Sequence, residues 1–544
     1  MRRRPATLLA LLAAAAAENT LLSAGEKPSL KIRGVNLGGW LVLEKWIKPS
    51  LFSEWDAFDK KAPKDQWTYC ETLGAEECLE RLEAHWDTWV TESDVASLAG
   101  AGITHVRVPL GHWITCDIEE DEPYVCGEWK YLVRAAGWCR DHGVAIWLDL
   151  HTAPGSQNGF DNSGHLGAAT WDEDPANAAR TTKIVKAIAK KVKGDGIDDV
   201  VEGFGLLNEP DQHIDYWAML GYYNDAYEVI RAELGDDVAV YIGDMFNPAS
   251  FNWFWKSKDD KATTAPNLNV ENVFLDSHIY ACFTDDLKGM TPKQHVVQVC
   301  EMERSHISTC CWDGKPPKAT ELRRFVGEWT AAYDQTPSPE LEAHLAKHPR
   351  GLSDDRKAFL QQYVLAQMMT YESGPDSPGA SPSKKNPVID VQGWFFWNFH
   401  MESDAYREWD YLRGVEEGWI PTLEKGVSVE AQFGLTCKDL ERETQACTTG
   451  VVEPFPKIDT WKSTPCGAAV LAPGRGASTL VNLLAAVAAV GLAGLAAAGL
   501  YKAARAAANA CKRGYEPLNK RKDFTEINEL PPRLSVDNPI SIAA

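Results

Sequence analysis

The sequence predicts a fold of the α/β class, a (β/α)8 TIM barrel with inserted loops. Eight short β-rich runs follow one another along the chain, and helical patterns lie between most of them. A doubly wound sheet is the alternative for such an alternation, but no Gly-x-Gly-x-x-Gly turn follows the first run. With 44% hydrophobic and 24% charged residues, the 544-residue chain has an ordinary globular composition.

The predicted elements fill one domain, residues 28–465, which is large but within the range of barrels that carry insertions. The predicted strands are residues 31–36, 105–109, 144–151, 201–208, 238–244, 273–278, 325–328 and 393–397. The predicted helical segments are residues 85–98, 130–141, 176–193, 217–233 and 355–373. Residues 256–268 and 284–317 are predicted to be long loops.

Both ends of the chain indicate a membrane protein. Residues 1–17 have the three arginines, the apolar run and the small residues of a signal peptide, with a retained apolar helix as the alternative. After a linker over residues 466–479, residues 480–501 carry no charge and are long enough to cross a ~30 Å hydrocarbon core. Basic residues follow at once, which predicts a single-pass type I protein with the domain of residues 28–465 extracellular or luminal. A buried helix is the alternative for residues 480–501.

Residues 502–544 are predicted to be a disordered cytoplasmic tail. The formal net charge of −22 divides unevenly, because the first 17 residues hold three arginines and the tail holds eight basic and five acidic residues. The segment between them therefore has 44 basic and 72 acidic residues. So acidic a segment has no basic face for nucleic acid, and we expect no nucleic-acid partner.

Thirteen cysteines suit an oxidising compartment, and 12 of them lie between Cys70 and Cys466. Cys70 with Cys78 and Cys116 with Cys126 are close in sequence, but the pairing stays open. No Cys-x-x-Cys spacing supports a zinc site. The 21 tryptophans would suit a ligand with flat apolar faces such as a sugar, although burial in the core is the simpler explanation.

Catalytic groups of such barrels lie at the C-terminal ends of the strands, so the residues that end each predicted strand are candidates for the site. Polar or aromatic side chains occupy these positions on strands two, three, four, six, seven and eight. They are Arg107, His151, Asn208, Glu209, His278, Tyr280, Glu328 and Trp397.

Two of these candidates, Glu209 and Glu328, are carboxylates on different strands. Glycoside hydrolysis needs two carboxyl groups, one to protonate the leaving oxygen and one to attack or to activate water. Taken alone, Asn208-Glu209-Pro210 could be the start of a helix, and Glu328 could belong to a buried ion pair. Their common place at the predicted rim favours catalysis.

The chain resembles glycoside hydrolase family 5, and within it the fungal-type exo-β-1,3-glucanases, over residues 30–420. The specific motifs are Arg33-Gly-Val-Asn-Leu-Gly-Gly-Trp40 and His151-Thr-Ala-Pro-Gly-Ser-Gln-Asn-Gly-Phe-Asp-Asn-Ser-Gly164. Pro49-Ser-Leu-Phe52, Val106-Arg-Val-Pro109, Asn208-Glu-Pro210, His278-x-Tyr280, Gly327-Glu-Trp329 and Gly393-Trp-Phe-Phe-Trp397 complete the set.

The resemblance implies that Glu209 is the general acid/base and Glu328 the nucleophile of a retaining enzyme, with carboxyl groups ~5–5.5 Å apart. It implies that Asn208 bonds the sugar 2-hydroxyl. Arg107 and Tyr280 are expected to surround the nucleophile and keep it ionised.

For the sugar pocket, the resemblance implies that His151 and His278 are supporting residues. The other expected contacts are Glu44, Asp161 and Asn162 on the hydroxyls of the terminal glucose, Trp397 as an apolar floor, and Phe160 with Phe283 flanking the entrance. Thr152, Phe399 and His400 depart from the residues usual at their positions, so the subsite preference is less defined than the reaction.

The resulting expectation is a membrane-anchored retaining β-glucosidase that releases glucose from the non-reducing ends of β-1,3-glucan, a polysaccharide or oligosaccharide partner. No metal or organic cofactor is expected, because the chain supplies the carboxylates and stacking surfaces. The alternatives are β-1,6-glucan, a glucosylated lipid or steroid, transglucosylation, and a non-catalytic glucan receptor. Tyr515-Glu-Pro-Leu518 resembles a sorting signal, and the oligomeric state is left open.

Overall fold

The computed structural model describes the part of the chain that holds the predicted barrel. The described residues are 31–55, 59–247, 251, 272–303, 323–338, 340–343, 352–373 and 391–445. All of them belong to one compact unit, Met1–Gly467 with the last two residues, and the second unit, Ala468–Ile542, lies outside the described residues.

Eight parallel strands form a closed barrel in the order β1 to β8, which confirms the predicted fold. The strands are Ile32–Asn36, His105–Leu110, Ala145–Leu150, Val201–Gly205, Ala239–Gly243, Val273–Ile279, Arg323–Trp329 and Val391–Phe396. β8 closes the barrel onto β1, with Phe396 opposite Val35. Parallel closure brings the C-terminal ends of all the strands to one rim.

Helices connect the strands on the outside of the barrel. In chain order, α1 to α12 are Gln66–Leu73, Ala75–Thr88, Glu92–Gly100, Trp129–His142, Pro175–Gly194, Tyr216–Leu234, Asp285–Lys288, Pro292–Val297, Asp354–Tyr371, Tyr411–Glu416, Val429–Phe433 and Cys437–Gln445. Short 3-10 turns cover Pro49–Phe52, His112–Thr115, Asp161–Ser163 and Asp404–Trp409, and a π turn covers Gln298–Glu303.

Large rings fill the barrel below the rim. The ring of Trp147 on β3 lies 5.2 Å from that of Tyr241 and 5.0 Å from that of Phe325. Glycines on neighbouring strands make room, because a Cβ on Gly203 would lie 2.4 Å from the indole of Trp147. This aromatic layer supports the polar side chains that stand one step nearer the C-terminal ends of the strands.

The structure departs from two predicted elements. The predicted helix over residues 85–98 is two helices, because Thr91 and Asp94 form a capping box that starts α3. The predicted loop at 284–317 contains α7, α8 and the π turn within its described residues. The predicted loop at 256–268 lies outside the described residues.

Three disulfides join described cysteines: Cys70–Cys78, Cys116–Cys126 and Cys300–Cys437. The first two are the pairs that are close in sequence. The third spans 137 residues and ties the π turn to α12, which sequence spacing alone could not indicate. Two further described cysteines, Cys139 and Cys282, are buried thiols.

Within the described residues, no helix has the length and apolar character needed to cross a membrane. The predicted signal peptide, the linker, the membrane span at 480–501 and the tail at 502–544 all lie outside those residues. These assignments therefore stay predictions.

Candidate active site

Arg107 on β2 is the centre of the polar layer above the aromatic rings. Its Nη1 donates to Glu328 Oε1 at 2.9 Å, and its Nη2 donates to Asn208 Oδ1 at 2.7 Å. Asp149 lies 3.0 Å from the same Nη2. The guanidinium is fully buried, and Asp149, Tyr241, Glu328 and Asp276 raise its pKa despite the cost of burial. A permanent positive charge therefore orients the predicted nucleophile and its neighbour.

Glu328 on β7 receives a second strong hydrogen bond. The hydroxyl of Tyr280 donates to Glu328 Oε2 at 2.7 Å, and His278 Nδ1 lies 3.4 Å from that oxygen. The parallel pairing of β6 and β7 places His278 directly opposite Glu328. Both carboxylate oxygens are thus held in place, as a nucleophile requires.

Glu209 follows β4 in a strained backbone conformation, with φ at 43°. The side chain of Gln157 supports this turn by donating to the carbonyl oxygens of His151 and Asn208. The carboxylate of Glu209 accepts from Asn162 Nδ2 at 2.9 Å and contacts His278 Nδ1 at 2.7 Å. The strained turn therefore directs a second carboxylate to the space above Glu328.

The two carboxylates face each other at short range. Ligand atoms of Glu209, His278 and Glu328 all lie within 4.8 Å of one another. An oxygen of Glu209 thus lies within 4.8 Å of an oxygen of Glu328, which is shorter than the ~6.5–9.5 Å between the carboxyl groups of inverting glycosidases.

The surroundings shift the pKa values of the two carboxyl groups in opposite directions. Burial favours a raised pKa of Glu209, but the charge of His278 and the hydrogen bonds from His278 and Asn162 outweigh it and lower that pKa. For Glu328, burial and the negative charge of Glu209 raise the pKa against the opposing effect of His278 and Arg107. The charge of His278 therefore favours the ionised form of Glu209, whereas burial favours the protonated form of Glu328.

Glu44 and Asp161 form a second buried acidic pair near Glu328. Within the described residues, Glu44 Oε1 and Asp161 Oδ2 are buried and have no hydrogen-bond partner. Burial, and then the neighbouring carboxylates Asp161 and Glu328, raise the pKa of Glu44. Burial raises the pKa of Asp161 to about 7. Unpaired buried oxygens are costly, so this pair is suited to hydroxyl groups of a bound ligand.

Trp397 and His151 lie side by side at the bottom of the site. Their rings are parallel, with centroids 5.7 Å apart. His151 Nδ1 bonds Asp149 Oδ2 at 2.6 Å, which fixes the plane of the imidazole. Gly38 lies against the indole, because a Cβ there would stand 2.7 Å from Trp397 Cζ2. A nearly buried flat apolar surface results.

The two predicted entrance residues have different surroundings. Phe283 is half-buried, and its ring lies 5.3 Å from Tyr280 and 6.1 Å from Trp409. Phe160 is also half-buried and precedes Asp161 in the loop after β3. Among the described ring contacts, the two phenylalanines do not pair with each other, so the structure does not bring them together directly.

The three residues that depart from the family pattern do not enter the catalytic pair. Thr152 is buried and accepts a hydrogen bond from the backbone nitrogen of His112 at 2.8 Å. Phe399 is buried against Trp89. His400 lies over the same indole and contacts Asp410 at 3.1 Å.

Sequence reasoning missed residues that hold the site together. Asn36 on β1 accepts from Arg107 at 2.9 Å, and Asp149 and Asp276 flank that arginine. A signal existed in the strand alternation, since Asp149 stands two residues before His151 and Asp276 two before His278. Residues two apart on a strand share a face.

The cluster of Glu209, His278 and Glu328 has the composition of a cation site, but its hydrogen bonds oppose that use. Both ring nitrogens of His278 already face carboxylate oxygens, those of Glu209 and Asp276. Glu328, Asp276 and Glu209 raise the pKa of His278 well above its ordinary value in spite of burial. A protonated imidazole has no lone pair for a metal.

Known proteins with this architecture define the class. The model of the cellulase family, glycosyl hydrolase family 5, matches residues 70–345. The glucan 1,3-beta-glucosidase of Blumeria graminis is 35% identical over 74% of this chain and 90% of its own length. That of Candida oleophila is 35% identical over 72% of this chain and 88% of its own.

A solved structure shares the fold. The rutinosidase from Aspergillus niger superposes with a TM-score of 0.53 at 18% identity, and the match covers 72% of this chain and 98% of the rutinosidase. The barrel and the paired carboxylates at its rim are thus those of a glycosidase. The chain belongs to glycoside hydrolase family 5.

Proposed function

We propose that the protein is a retaining exo-β-1,3-glucosidase that releases glucose from the non-reducing ends of β-1,3-glucan. The observation that carries this proposal is the close pair of Glu209 and Glu328, each held by hydrogen-bond donors from other parts of the barrel. The names of the relatives from Blumeria graminis and Candida oleophila support the β-1,3-glucan substrate.

In the first step, the ionised carboxylate of Glu328 attacks the anomeric carbon of the terminal glucose. The bond to the leaving oxygen breaks, and Glu209 gives its proton to that oxygen. Arg107 and Tyr280 hold the nucleophile in place through its two oxygens. The product of this step is a glucosyl ester on Glu328.

In the second step, water attacks the same carbon from the face that the leaving group vacated. Glu209, now a carboxylate, takes a proton from the water, and the ester bond to Glu328 breaks. Two inversions give net retention of configuration. Asn208 is proposed to bond the sugar 2-hydroxyl through its amide nitrogen. Arg107 fixes its Oδ1, and the amide nitrogen has only a long contact, 3.5 Å, to His151 Nε2.

The exo mode is supported by the unpaired oxygens of Glu44 and Asp161. A terminal glucose offers a free 3-hydroxyl, which an internal residue of β-1,3-glucan has used in a linkage. Hydrogen bonds from free hydroxyls satisfy buried oxygens that are otherwise left without partners. Trp397 supplies the apolar surface against which the sugar ring packs.

We also propose that the catalytic domain is held at a membrane, outside the cytoplasm, by residues 480–501. The support is the uncharged length of that segment and the basic residues that follow it. This placement makes a glucosylated lipid or steroid the strongest alternative substrate.

Product analysis on three substrates in parallel tests the proposed specificity. Laminarin, a β-1,6-glucan and glucosylceramide are each incubated with the full-length enzyme, and the anomer released first is followed by NMR. We expect β-glucose as the first product, from laminarin in preference to the other two. Faster release of glucose from glucosylceramide or from the β-1,6-glucan overturns the proposed substrate. Release of α-glucose as the first product overturns the retaining mechanism. Binding of a substrate without any product supports a non-catalytic receptor.

A further inference from the structure

Asp276 and His278 form a buried pair on β6 that the two-carboxylate mechanism leaves unused. His278 Nε2 lies 3.3 Å from Asp276 Oδ2, and its Nδ1 lies 2.7 Å from Glu209 Oε1. Phe274, Asp276 and His278 are alternate residues of one strand and project to one side of it. The strand thus stacks an aromatic ring, a carboxylate and an imidazole from the core to the rim.

The two ring nitrogens of His278 bond different carboxylates, whether the imidazole is doubly or singly protonated. When the ring is doubly protonated, Nε2–H donates to Asp276 and Nδ1–H donates to Glu209. When Nδ1 has given up its proton, Nε2–H still donates to Asp276, and Nδ1 accepts from protonated Glu209. Asp276 thus keeps one tautomer and one ring orientation through both states, as the buried aspartate of a Ser-His-Asp triad does.

The barrel keeps Asp276 in place at a cost. Within the described residues its Oδ1 is buried without a hydrogen-bond partner, although Oδ2 faces His278 and lies 3.8 Å from Arg107. A Cβ on Gly327 of the adjacent strand would lie 2.1 Å from Asp276 Oδ1, so only glycine leaves room for this carboxylate. A buried, half-satisfied carboxylate that needs such space indicates a functional purpose.

We propose that Asp276 is a positioning residue that keeps the catalytic proton on Nδ1 of His278 in the resting enzyme. From there the proton forms a hydrogen bond to Glu209. The inference rests on the proposed hydrolysis and extends it. The proton crosses from His278 Nδ1 to Glu209 Oε1 and then to the leaving oxygen as the glycosidic bond breaks. In the second step, the proton that Glu209 takes from water returns to His278 Nδ1, and the enzyme regains its starting state.

The surrounding charges agree with a proton on His278. Burial alone would lower its pKa, but Glu328, Asp276 and Glu209 together raise it well above its ordinary value. Asp244, beyond β5, is a further carboxylate that interacts with His278. The charged groups that interact with the ring are Glu209, Asp244, Asp276 and Glu328, while the hydroxyl of Tyr280 bonds Glu328 and Arg107 lies beyond Asp276.

The pH dependence of the Asp276→Asn variant tests the proposal. Loss of the carboxylate makes the shared proton easier to remove, so the basic limb of kcat/KM on laminari-oligosaccharides moves to lower pH by ~1 unit. The matched variant is Asp149→Asn. It also removes a negative charge beside Arg107, but Asp149 bonds His151 rather than His278. An Asp149→Asn shift as large as that of Asp276→Asn overturns the assignment, as does an unmoved limb in Asp276→Asn.

A substrate that needs no acid separates this role from a structural one. With 2,4-dinitrophenyl β-glucoside, the leaving group departs without a proton, so the basic-limb shift of Asp276→Asn should vanish. A shift of equal size on both substrates shows that the substitution has only disturbed the site, and it overturns the proposal.

NMR of the unsubstituted protein covers the case in which Asp276→Asn does not fold. Full-length enzyme with 15N-labelled histidine should show His278 doubly protonated at pH 7, with the signal assigned by its absence in His278→Gln. A neutral His278 at pH 7 overturns the proposal. Because this readout needs no substrate, it stands even if the enzyme proves to act on another glycoside or on none.

Discussion

At the scale of single residues, Arg107 shows how a buried charge can organise a catalytic pair. The guanidinium contacts Glu328 on β7, Asp149 on β3 and Asn208 just after β4. A buried cation without such partners would cost several kcal/mol. Here the carboxylates meet that cost, and in return both the predicted nucleophile and the predicted 2-hydroxyl ligand are fixed in position.

The hydroxyl of Tyr280 is expected to stabilise the charged form of Glu328. The Tyr280→Phe substitution removes this donor at 2.7 Å while keeping the ring that packs on Phe283 and Trp409. A hydrogen bond to a charged group contributes about 1.5–3 kcal/mol, so kcat should fall roughly 10- to 100-fold. Steady-state kinetics on laminaribiose measure the change, and an unchanged kcat contradicts this role.

The acid limb of the pH profile should report Glu328. The nucleophile must be ionised, and burial together with Glu209 raises its pKa above the ordinary value of 4.5. Activity should therefore be lost on acidification at a pH above 4.5, as Glu328 takes up a proton. The profile of kcat/KM measures this, and an acid limb at or below the pH of an ordinary glutamate contradicts the assignment.

At the scale of elements, the strands were predictable because each β-rich run is short and bounded by polar residues. All eight observed strands overlap the predicted ones, yet β4 ends at Gly205 rather than at residue 208. Residues 206–208 instead lead into the turn at which Glu209 adopts a positive φ. Once the strands were predicted, the rim residues followed, because parallel closure brings the C-terminal ends of all the strands together.

Other parts of the site could not be predicted from the sequence. Strand alternation places Asp276 and His278 on one face of β6, but it does not show that Gly327 on β7 leaves room for the carboxylate of Asp276. Cys300 and Cys437 are 137 residues apart, and only the folded chain brings them together. Long-range contacts of this kind depend on tertiary packing that local patterns do not encode.

The Cys300–Cys437 disulfide should stabilise the fold more than Cys70–Cys78. It closes a loop of 137 residues, whereas the other closes one of 8. The double variant Cys300→Ser/Cys437→Ser should lose about 2–4 kcal/mol, while the matched double variant Cys70→Ser/Cys78→Ser loses less. Apparent Tm at one scan rate compares them, and an equal or larger loss in the second variant contradicts this ranking.

At the scale of the whole molecule, the described barrel holds every residue proposed for catalysis, and residues 480–501 are proposed to hold it at a membrane. The distribution of charge also separates these regions, because acidic residues are in excess between residue 17 and the tail, whereas the first 17 residues and the tail are basic. The two proposals are independent, since one rests on the geometry of the rim and the other on an uncharged segment.

Removal of residues 480–544 tests the anchoring. We expect the shortened protein to be released from cells into the medium with an unchanged kcat, because the catalytic groups all precede residue 420. The full-length protein should remain with the membrane fraction until detergent is added. Full-length enzyme in the medium, or shortened enzyme that stays with the membranes, contradicts the proposed anchor.

The central claim is that Glu328 forms a covalent glucosyl-enzyme opposite the acid/base Glu209. The most direct measurement is product analysis of Glu328→Ala with an activated β-glucoside in the presence and absence of azide. We expect no hydrolysis without azide, and α-glucosyl azide as the product when azide enters the space left by the carboxylate. A normally folded Glu328→Ala enzyme that hydrolyses the substrate without azide, or that yields β-glucosyl azide, would contradict the claim.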